Sequence, residues 1–449
     1  MTLKTQKRIR LSEDNVDRDR LGEMPDDVLV RILSCLPIID AVRTVLLRRF
    51  GNLWTLIHTL EFDMSGYLDN FCRWECNNKH IEWFCRFVRN VLILHQNLCI
   101  DKFHVCIDFD SCYERQMAGP DISMWSRFAL CRQAKEIKIS DECNNDFGTS
   151  SILPKFTSQS LVTLELDSCA YDGEFQVDLG CLKKLSLNRV SMTDENFQRF
   201  ISGCPSLHEL IIANPFGMKK LSLIAPNIDK WSRPMLLYFP NLQNLYLEIN
   251  NGWLLDFIDV SSVHNIYIKN LNFFMNFDDE IPTINQVLVG RFQSIEVFQL
   301  SCDASKEFLD EIQNLQLLEC RWRRIVLELQ DFCESCLLGV YHLMNSLKHL
   351  EELVIYSTED FKASDNLLRV ELPSSYVTPQ LKTITIHGYE KSWMSQLQLV
   401  KLLLKSAAAL DKLVIIPMKR HLTKPEELDF VKKLSSFPKA SPSARVIFA

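Results

Sequence analysis

Glycine is scarce, at 13 in 449 residues, against an average near 7%. That argues against a fold built on glycine-rich phosphate loops, and neither G-x-G-x-x-G nor G-x4-G-K-[ST] occurs. H-E-x-x-H and G-x-S-x-G are also missing. No run of about 18 apolar residues is present, so nothing in the sequence spans a membrane. The opening MTLKTQKRIRLSED is charged and lacks the apolar stretch of a secretory signal. A formal charge of −7 gives no general attraction to nucleic acid or to an anionic bilayer. Sixteen cysteines without a leader imply reduced thiols in the cytosol or nucleus. The basic cluster Lys4, Lys7, Arg8 and Arg10 reads as part of a solvated tail over residues 1–18.

What is present is an ordinary folded composition, 47% apolar and 24% charged. The length suits two to four domains or one long repeat array. A unit apolar-x-x-apolar-x-apolar recurs from Ala134/Ile137/Ile139 through Leu161/Leu164/Leu166, Leu182/Leu185/Leu187 and Leu207/Leu210/Ile212. It returns at Leu242/Leu245/Leu247, Val263/Ile266/Ile268, Trp322/Ile325/Leu327 and Leu350/Leu353/Ile355. Further copies stand at Leu381/Ile384/Ile386 and Leu410/Leu413/Ile415, with looser ones at Ile295/Phe298/Leu300 and Met218/Leu221/Leu223. Alternation buries every second residue of a strand, and each strand stacks parallel on the one before. Helix-like segments lie between them, such as Thr193–Ser202 and Glu307–Gln316. Residues 74–98 carry Trp83, Phe84, Phe87, Val88 and Val91 and read as one core helix.

Upstream, Pro25 opens a helix, since its missing N–H is an orphan there anyway. Asp26 and Asp27 place negative charge at its N-terminus. Leu29, Ile32, Leu33 and Leu36 fall at i, i+3, i+4 and i+7 with Val28 beside them, which predicts one apolar face. Pro37 stops this helix, and Asp40 is the expected N-cap of a second one carrying Val42, Val45, Leu46 and Phe50. Gly51 breaks it before Leu53-Trp54.

The run from Met24-Pro25 through Leu29, Ile32-Leu33, Leu36-Pro37, Asp40 and Val42 to Trp54 resembles the F-box of plant proteins. The repeat unit resembles the leucine-rich repeat. Leu372-Pro373, PQLKTITIHGYE, LQLVKLLLKSAAALDKLVI and KKLSSFPKASPSARVIF resemble the FBD segment that comes after such repeats in flowering plants. The resemblance implies an α/β architecture: a small helical F-box at 19–63, an irregular leucine-rich-repeat solenoid of parallel strands and helices at 64–369, and an FBD-type cap at 370–449. It implies that Pro25, Val28, Leu29, Ile32, Leu33, Leu36, Pro37, Val42, Leu46 and Trp54 contact a Skp-type adaptor and, through it, a cullin. Such a protein is a non-catalytic substrate receptor of a ubiquitin ligase. The chain departs from the pattern at Met24, where Leu is usual, and at Phe50, where Trp is usual. The stretch from Thr44 to Trp54 is also one residue shorter, and on a helix one residue rotates the second half of the box by about 100°. A repeat scaffold with a degenerate box therefore stays open as the alternative.

Sites for chemistry are sparse. Cys72, Cys76 and His80, with Cys85 nearby, have spacings that place them on one helical face, but zinc cages use thiolates on turns, and buried thiols are the expectation. Cys333 and Cys336 form a C-x-x-C outside any thioredoxin-like unit. No cofactor, metal or catalytic residue is expected. The partner surface is expected on the strand positions that face outward: Glu165, Ser186, Ile211, Tyr246, Tyr267, Val326, Val354 and Thr385. Tyr246 and Tyr267 occupy equivalent sites in consecutive units, flanked by Asn244, Glu248, Asn265 and Lys269, and are the expected anchors for a protein substrate.

Overall fold

The computed structural model describes residues 23–66, 79–108, 112–141, 157–171, 177–218, 220–224, 237–238, 241–248, 254–259, 262–269, 295–302, 320–329, 340–357 except 341 and 345, 380–388, 393–417 and 432–448 except 435. The strands in chain order are β1 (Thr59–Asp63), β2 (Lys102–Ile107), β3 (Glu136–Asp141), β4 (Thr163–Asp167), β5 (Lys184–Asn188), β6 (Glu209–Ala213), β7 (Lys220–Ile224), β8 (Leu237–Tyr238) and β9 (Asn244–Glu248). They continue as β10 (Leu254–Asp259), β11 (Asn265–Lys269), β12 (Val297–Cys302), β13 (Arg324–Leu329), β14 (Glu352–Ser357), β15 (Thr383–Gly388), β16 (Lys412–Pro417) and β17 (Arg445–Phe448).

Fourteen of these strands form one open parallel sheet, in chain order apart from the skipped β7, β8 and β10. This is the expected leucine-rich-repeat solenoid. The register carries each repeat onto the next: Leu164 pairs with Leu185, Leu185 with Leu210, and Leu210 with Leu245. β4 and β5 bury every second residue, as the alternating pattern requires. The buried side chains join those of the helices in one continuous core.

Several details differ from the sequence reading. β1 and β2 precede the first expected repeat, and Thr59 to Asp63 belong to the sheet and not to the helical box. Their signature is present in the sequence, since Ile57/Leu60/Phe62 and Ile100/Phe103/Val105 carry the same spacing. The copy at Met218/Leu221/Leu223 leads into β7, which sits in a separate three-stranded sheet with β8 and β10. The expected core helix is Lys79–Leu94, with Phe84, Val88 and Val91 inside but Trp83 38% exposed. A second long helix, Cys112–Cys131, is not apparent from the sequence, because Pro120 interrupts the helical pattern. Its buried Ala118, Ile122, Trp125 and Ala129 nevertheless recur at helical spacing. The expected helix at Glu307–Gln316, the segment Leu372-Pro373 and the cysteines Cys72, Cys76, Cys333 and Cys336 lie outside the described residues.

The turns off three consecutive strands share a device. Ser168, Arg189 and Asn214, each the first residue after its strand, have φ of 55°, 49° and 45°. A non-glycine residue there costs about 1–2 kcal/mol. At Arg189 the cost is offset by Asp167. Its Oδ1 accepts from Arg189 Nε at 2.9 Å and Ser168 Oγ at 3.0 Å, and its Oδ2 from Asn188 Nδ2 at 2.9 Å.

The helix Asp194–Ser202 is capped by Thr193, whose Oγ1 accepts from the Asn196 N–H at 3.2 Å. Trp393–Ser406 lies near the end of the chain, with Leu399, Val400, Leu403 and Leu404 buried. Leu434 and Ala444 belong to the core, and Phe437 is partly buried against it. Among the described residues no helix is long and apolar enough to cross a membrane.

Gly203 ends the helix Asp194–Ser202 pressed against the backbone of Val177, where a Cβ would collide with the Val177 carbonyl. The Gly203 carbonyl in turn accepts from Leu179 N at 2.8 Å. Gly203→Ala is expected to cost about 1–3 kcal/mol by forcing these backbones apart. A thermal midpoint equal to that of the parent chain would show that the contact yields freely.

Candidate functional site

Two surfaces can carry recognition. The first is the N-terminal helical pair. Helix α1 (Asp26–Leu33) starts after Pro25, which takes the cap position, and helix α2 (Ile38–Arg43) starts after Pro37. Pro37, not Asp40, therefore caps the second helix; Asp40 lies in its first turn and pairs with Arg43 at 3.0 Å. The second helix stops at Arg43 and tightens into a 3-10 turn at Thr44–Leu46, where Thr44 Oγ1 donates to the Ala41 carbonyl at 2.6 Å. Arg49 reaches back to Asp26 at 2.6 Å and to the Met24 carbonyl at 2.7 Å, which closes the unit.

The expected single apolar face of α1 is in fact two. Leu29 and Leu33, with Val30, point into the chain and are 0%, 1% and 6% exposed. Val28, Ile32 and Leu36, spaced four apart, line the outer side at 37%, 37% and 41%. Val45, Leu46 and Leu47 extend the exposed apolar set, Leu46 reaching 86%. Trp54, expected at the adaptor, is buried at 4% and sits in the core with Ile57, Ile38 and Ile39. Val42 is half-buried against the same core, and Pro25 and Pro37 are exposed. The two stripes merge in the sequence because a turn of 3.6 residues leaves i and i+3 about 60° apart, so a short helix can hold two apolar sides.

A buried histidine ties this unit to the solenoid. His95 directs Nε2 at the Ile57 carbonyl, 3.0 Å away, while its Nδ1 is buried with no partner among the described residues. Arg132 donates to the His95 and Asn97 carbonyls from the other side. Burial lowers the His95 pKa, and the Arg132 guanidinium and His58 push the same way against the hydrogen bond to Ile57. A carbonyl oxygen can only accept, so Nε2 carries a proton.

The second surface is the outer face of the sheet. One register line joins Glu61, His104, Lys138, Glu165, Ser186 and Ile211 to Tyr246 and Tyr267. It continues through Gln299, Val326, Val354, Thr385, Val414 and Ile447. The expected outward positions therefore share one row. Its first half is laced with charge: His104 Nε2 meets Glu136 at 2.7 Å, and Lys184 meets Glu165 at 3.1 Å and Glu209 at 3.4 Å.

Midway the row turns aromatic. The rings of Tyr246 and Tyr267 stack with centroids 4.2 Å apart and planes 10° apart. Beside them Asn265 Nδ2 donates to Asn244 Oδ1 at 2.6 Å. Glu248 and Lys269 pair in register at the ends of the same strands, and their side chains lie outside the described residues. A second stack, Tyr356 over His387 at 4.2 Å, is missed by the sequence reading although it sits at equivalent positions of β14 and β15. Val326 and Val354 are only 4% and 3% exposed, so the row is not open along its whole length.

Among the described residues no group of three or more His, Cys, Asp or Glu could hold a metal. Cys85 is buried and its thiol is pushed up to about 12, chiefly by burial and then by Asp121, which opposes the thiolate a zinc ligand requires.

Known proteins of similar sequence exist. A family model of the LRR repeats of the FBD-associated F-box protein At5g56370 matches residues 122–232. The chain is 27% identical over 454 residues to the F-box/FBD/LRR-repeat protein At5g56420 of Arabidopsis thaliana, covering 96% of this chain and 99% of the relative. The chain is similar to F-box/FBD/LRR-repeat proteins along nearly its whole length. It is also similar to the Arabidopsis FBD-associated F-box protein At4g10400, at 26% identity over 96% of this chain and all of that protein. The F-box protein At4g27050 of Arabidopsis shares 29% over 67% of this chain and 73% of its own length.

The buried His95 makes stability depend on pH. Its folded pKa lies below the ordinary 6.5, so the unfolded chain binds the proton first as pH falls. The contribution is full above about pH 6.5 and is lost as pH falls towards the folded value. His387 is lowered by burial as well and acts in the same direction. The thermal midpoint should therefore drop between about pH 7.5 and about pH 5.5. His95→Gln, which keeps a donor for Ile57 and does not titrate, should narrow that drop. An unchanged pH slope in the variant would remove His95 as its source.

Proposed function

We propose that the chain is the substrate-receptor subunit of a Skp–cullin–F-box ubiquitin ligase. The observation that carries this reading is the outer stripe Val28, Ile32 and Leu36 with Leu46 and Leu47 exposed nearby. Helices that were merely part of the chain's own core would turn their apolar residues inward, as Leu29, Leu33 and Trp54 do. Burying each exposed Val, Leu or Ile contributes about 1.5–3 kcal/mol before association costs. The names of the relatives, F-box proteins along nearly the whole chain, support the same reading. The adaptor would sit on this stripe, a cullin beyond it, and a protein substrate on the outer face of the sheet near Tyr246 and Tyr267. The subunit would contribute no catalytic group. It would raise the effective concentration of substrate lysines near a charged ubiquitin carrier, in the cytosol or nucleus.

Co-expression with a plant Skp-type adaptor tests the box. The parent chain should co-elute with the adaptor on size exclusion, and Ile32→Asp should abolish the complex without moving the thermal midpoint. Leu33→Asp should instead lower the midpoint, because Leu33 faces the chain's own core. Absence of a complex with the parent chain would leave the scaffold reading, which the early end of α2 at Arg43 favours.

For the substrate side, a partner captured by proximity labelling should bind the Tyr246→Ala/Tyr267→Ala double variant more weakly by about 2 kcal/mol or more. Adaptor binding by that variant should be unchanged. Partner binding at parental strength would move the recognition surface elsewhere.

A further inference from the structure

The charge pattern changes at the last strands. In the strand position two residues before the central row, Lys102 lies 3.9 Å from Glu136, Lys184 lies within 3.4 Å of Glu209, and Arg324 lies 3.2 Å from Glu352. The same position in β16 and β17 holds Lys412 and Arg445, directly paired in register. Both side chains are exposed, and neither has an ion pair among the described residues. Like charges opposite one another on neighbouring strands destabilise a sheet, so this pair is set against the rest of the lattice. The imbalance is wider than two residues. Residues 393–449 hold ten lysines and arginines against four aspartates and glutamates, whereas the whole chain holds 50 against 57. Lys401, Lys405 and Lys439 are exposed in the same region, and Asp411 is the one acid among its described residues.

Among the described residues the sheet also ends there. β17 pairs with β16 on one side, and among the described residues no strand lies on the other. Arg445 N donates to the Asp411 carbonyl, so Arg445 and, two residues on, Ile447 direct their backbone groups at β16. Backbone groups alternate sides along a parallel strand, so the N–H and C=O of Val446 face outward. Val446 is half-buried against the core, and Ile447 is 40% exposed on the outer face. The opposite end of the sheet differs, for there α2 packs against β1.

We propose that the free edge of β17 and the basic side chains around it bind an acidic, extended segment of a partner protein by strand addition. The backbone of the incoming strand would pair with Val446, its acidic residues would reach Arg445 and Lys412, and an alternate apolar residue would lie beside Ile447. An open strand edge is otherwise a liability that proteins cover or charge. Positive charge repels a second copy of this edge and attracts an acidic strand. A polypeptide fits better than a nucleic acid, because backbone donors and acceptors in alternation match another strand and not a row of phosphates. The site is separate from the helical box, and its test needs no adaptor.

Selection of displayed short random peptides against the full chain tests the proposal. Enriched peptides should be acidic with apolar residues at alternate positions. Val446→Pro removes the outward N–H and keeps the ladder to β16, so it should weaken the best peptide about tenfold at an unchanged thermal midpoint. Should that variant unfold, the surface pair Lys412→Glu/Arg445→Glu decides, with a loss of about tenfold or more and a parental affinity that falls as salt rises. Failure to enrich any peptide, enrichment without acidic residues, or parental affinity in both variants would overturn the proposal. So would tighter binding of a single-stranded oligonucleotide or an anionic vesicle that Val446→Pro leaves intact.

Discussion

Everything in this molecule rests on parallel register. Each turn must set two inward apolar residues onto the equivalent two of the turn before, so that backbone hydrogen bonds and core contacts form together. Leu185 onto Leu164 and Ile384 onto Leu353 are the same event at opposite ends of the sheet. A slip of one residue would send the inward set outward and break both at once. The connecting segments are freed by this arrangement. They vary from 16 residues between β4 and β5 to 38 between β1 and β2, provided the next strand returns in register.

The same constraint generates the outer face. Once the inward residues are fixed, the residues between them form rows whose members are neighbours in space although they are far apart in sequence. Rows convert repeated local choices into a surface: ion pairs across β2 to β6, stacked tyrosines on β9 and β11, and on β16 and β17 a basic couple with no ion pair among the described residues. Most ion pairs here are partly solvent-exposed, and such pairs contribute little individually. In the proposed role their consequence is selectivity, since a partner gains little by contacting charges that are already matched.

The helical unit at the N-terminus is joined to this body by burial. Ile38, Ile39, Trp54 and Ile57 continue into the core beneath β1, and His95 adds a hydrogen bond to the same junction. The outward stripe is consequently held at a fixed position relative to the first strand. In the receptor role proposed above, rigidity between the two ends is the property that matters. The fold supplies it by making the box and the solenoid share one core.

The repeat unit, and so the solenoid, was legible in the sequence because each strand carries a local pattern that neighbours repeat. The stacking of Tyr246 on Tyr267 followed from equivalent positions alone, since parallel strands lie about 4.8 Å apart. The early strands were equally written, in Ile57/Leu60/Phe62 and Ile100/Phe103/Val105, but were masked by the helical signals around them. The helix across Pro120 was hidden because proline weakens a local reading that tertiary packing of Ile122 and Trp125 overrides. Only the folded chain decided which of the apolar residues on α1 turn inward, because a short helix with apolar residues on two sides has no preferred core until another surface meets it. The burial of Val326 and Val354, and the place of Lys412 and Arg445 on the last two described strands, were decided in the same way. Inward and outward along a strand are local properties. What covers a face, and where a sheet ends, depend on segments remote in sequence.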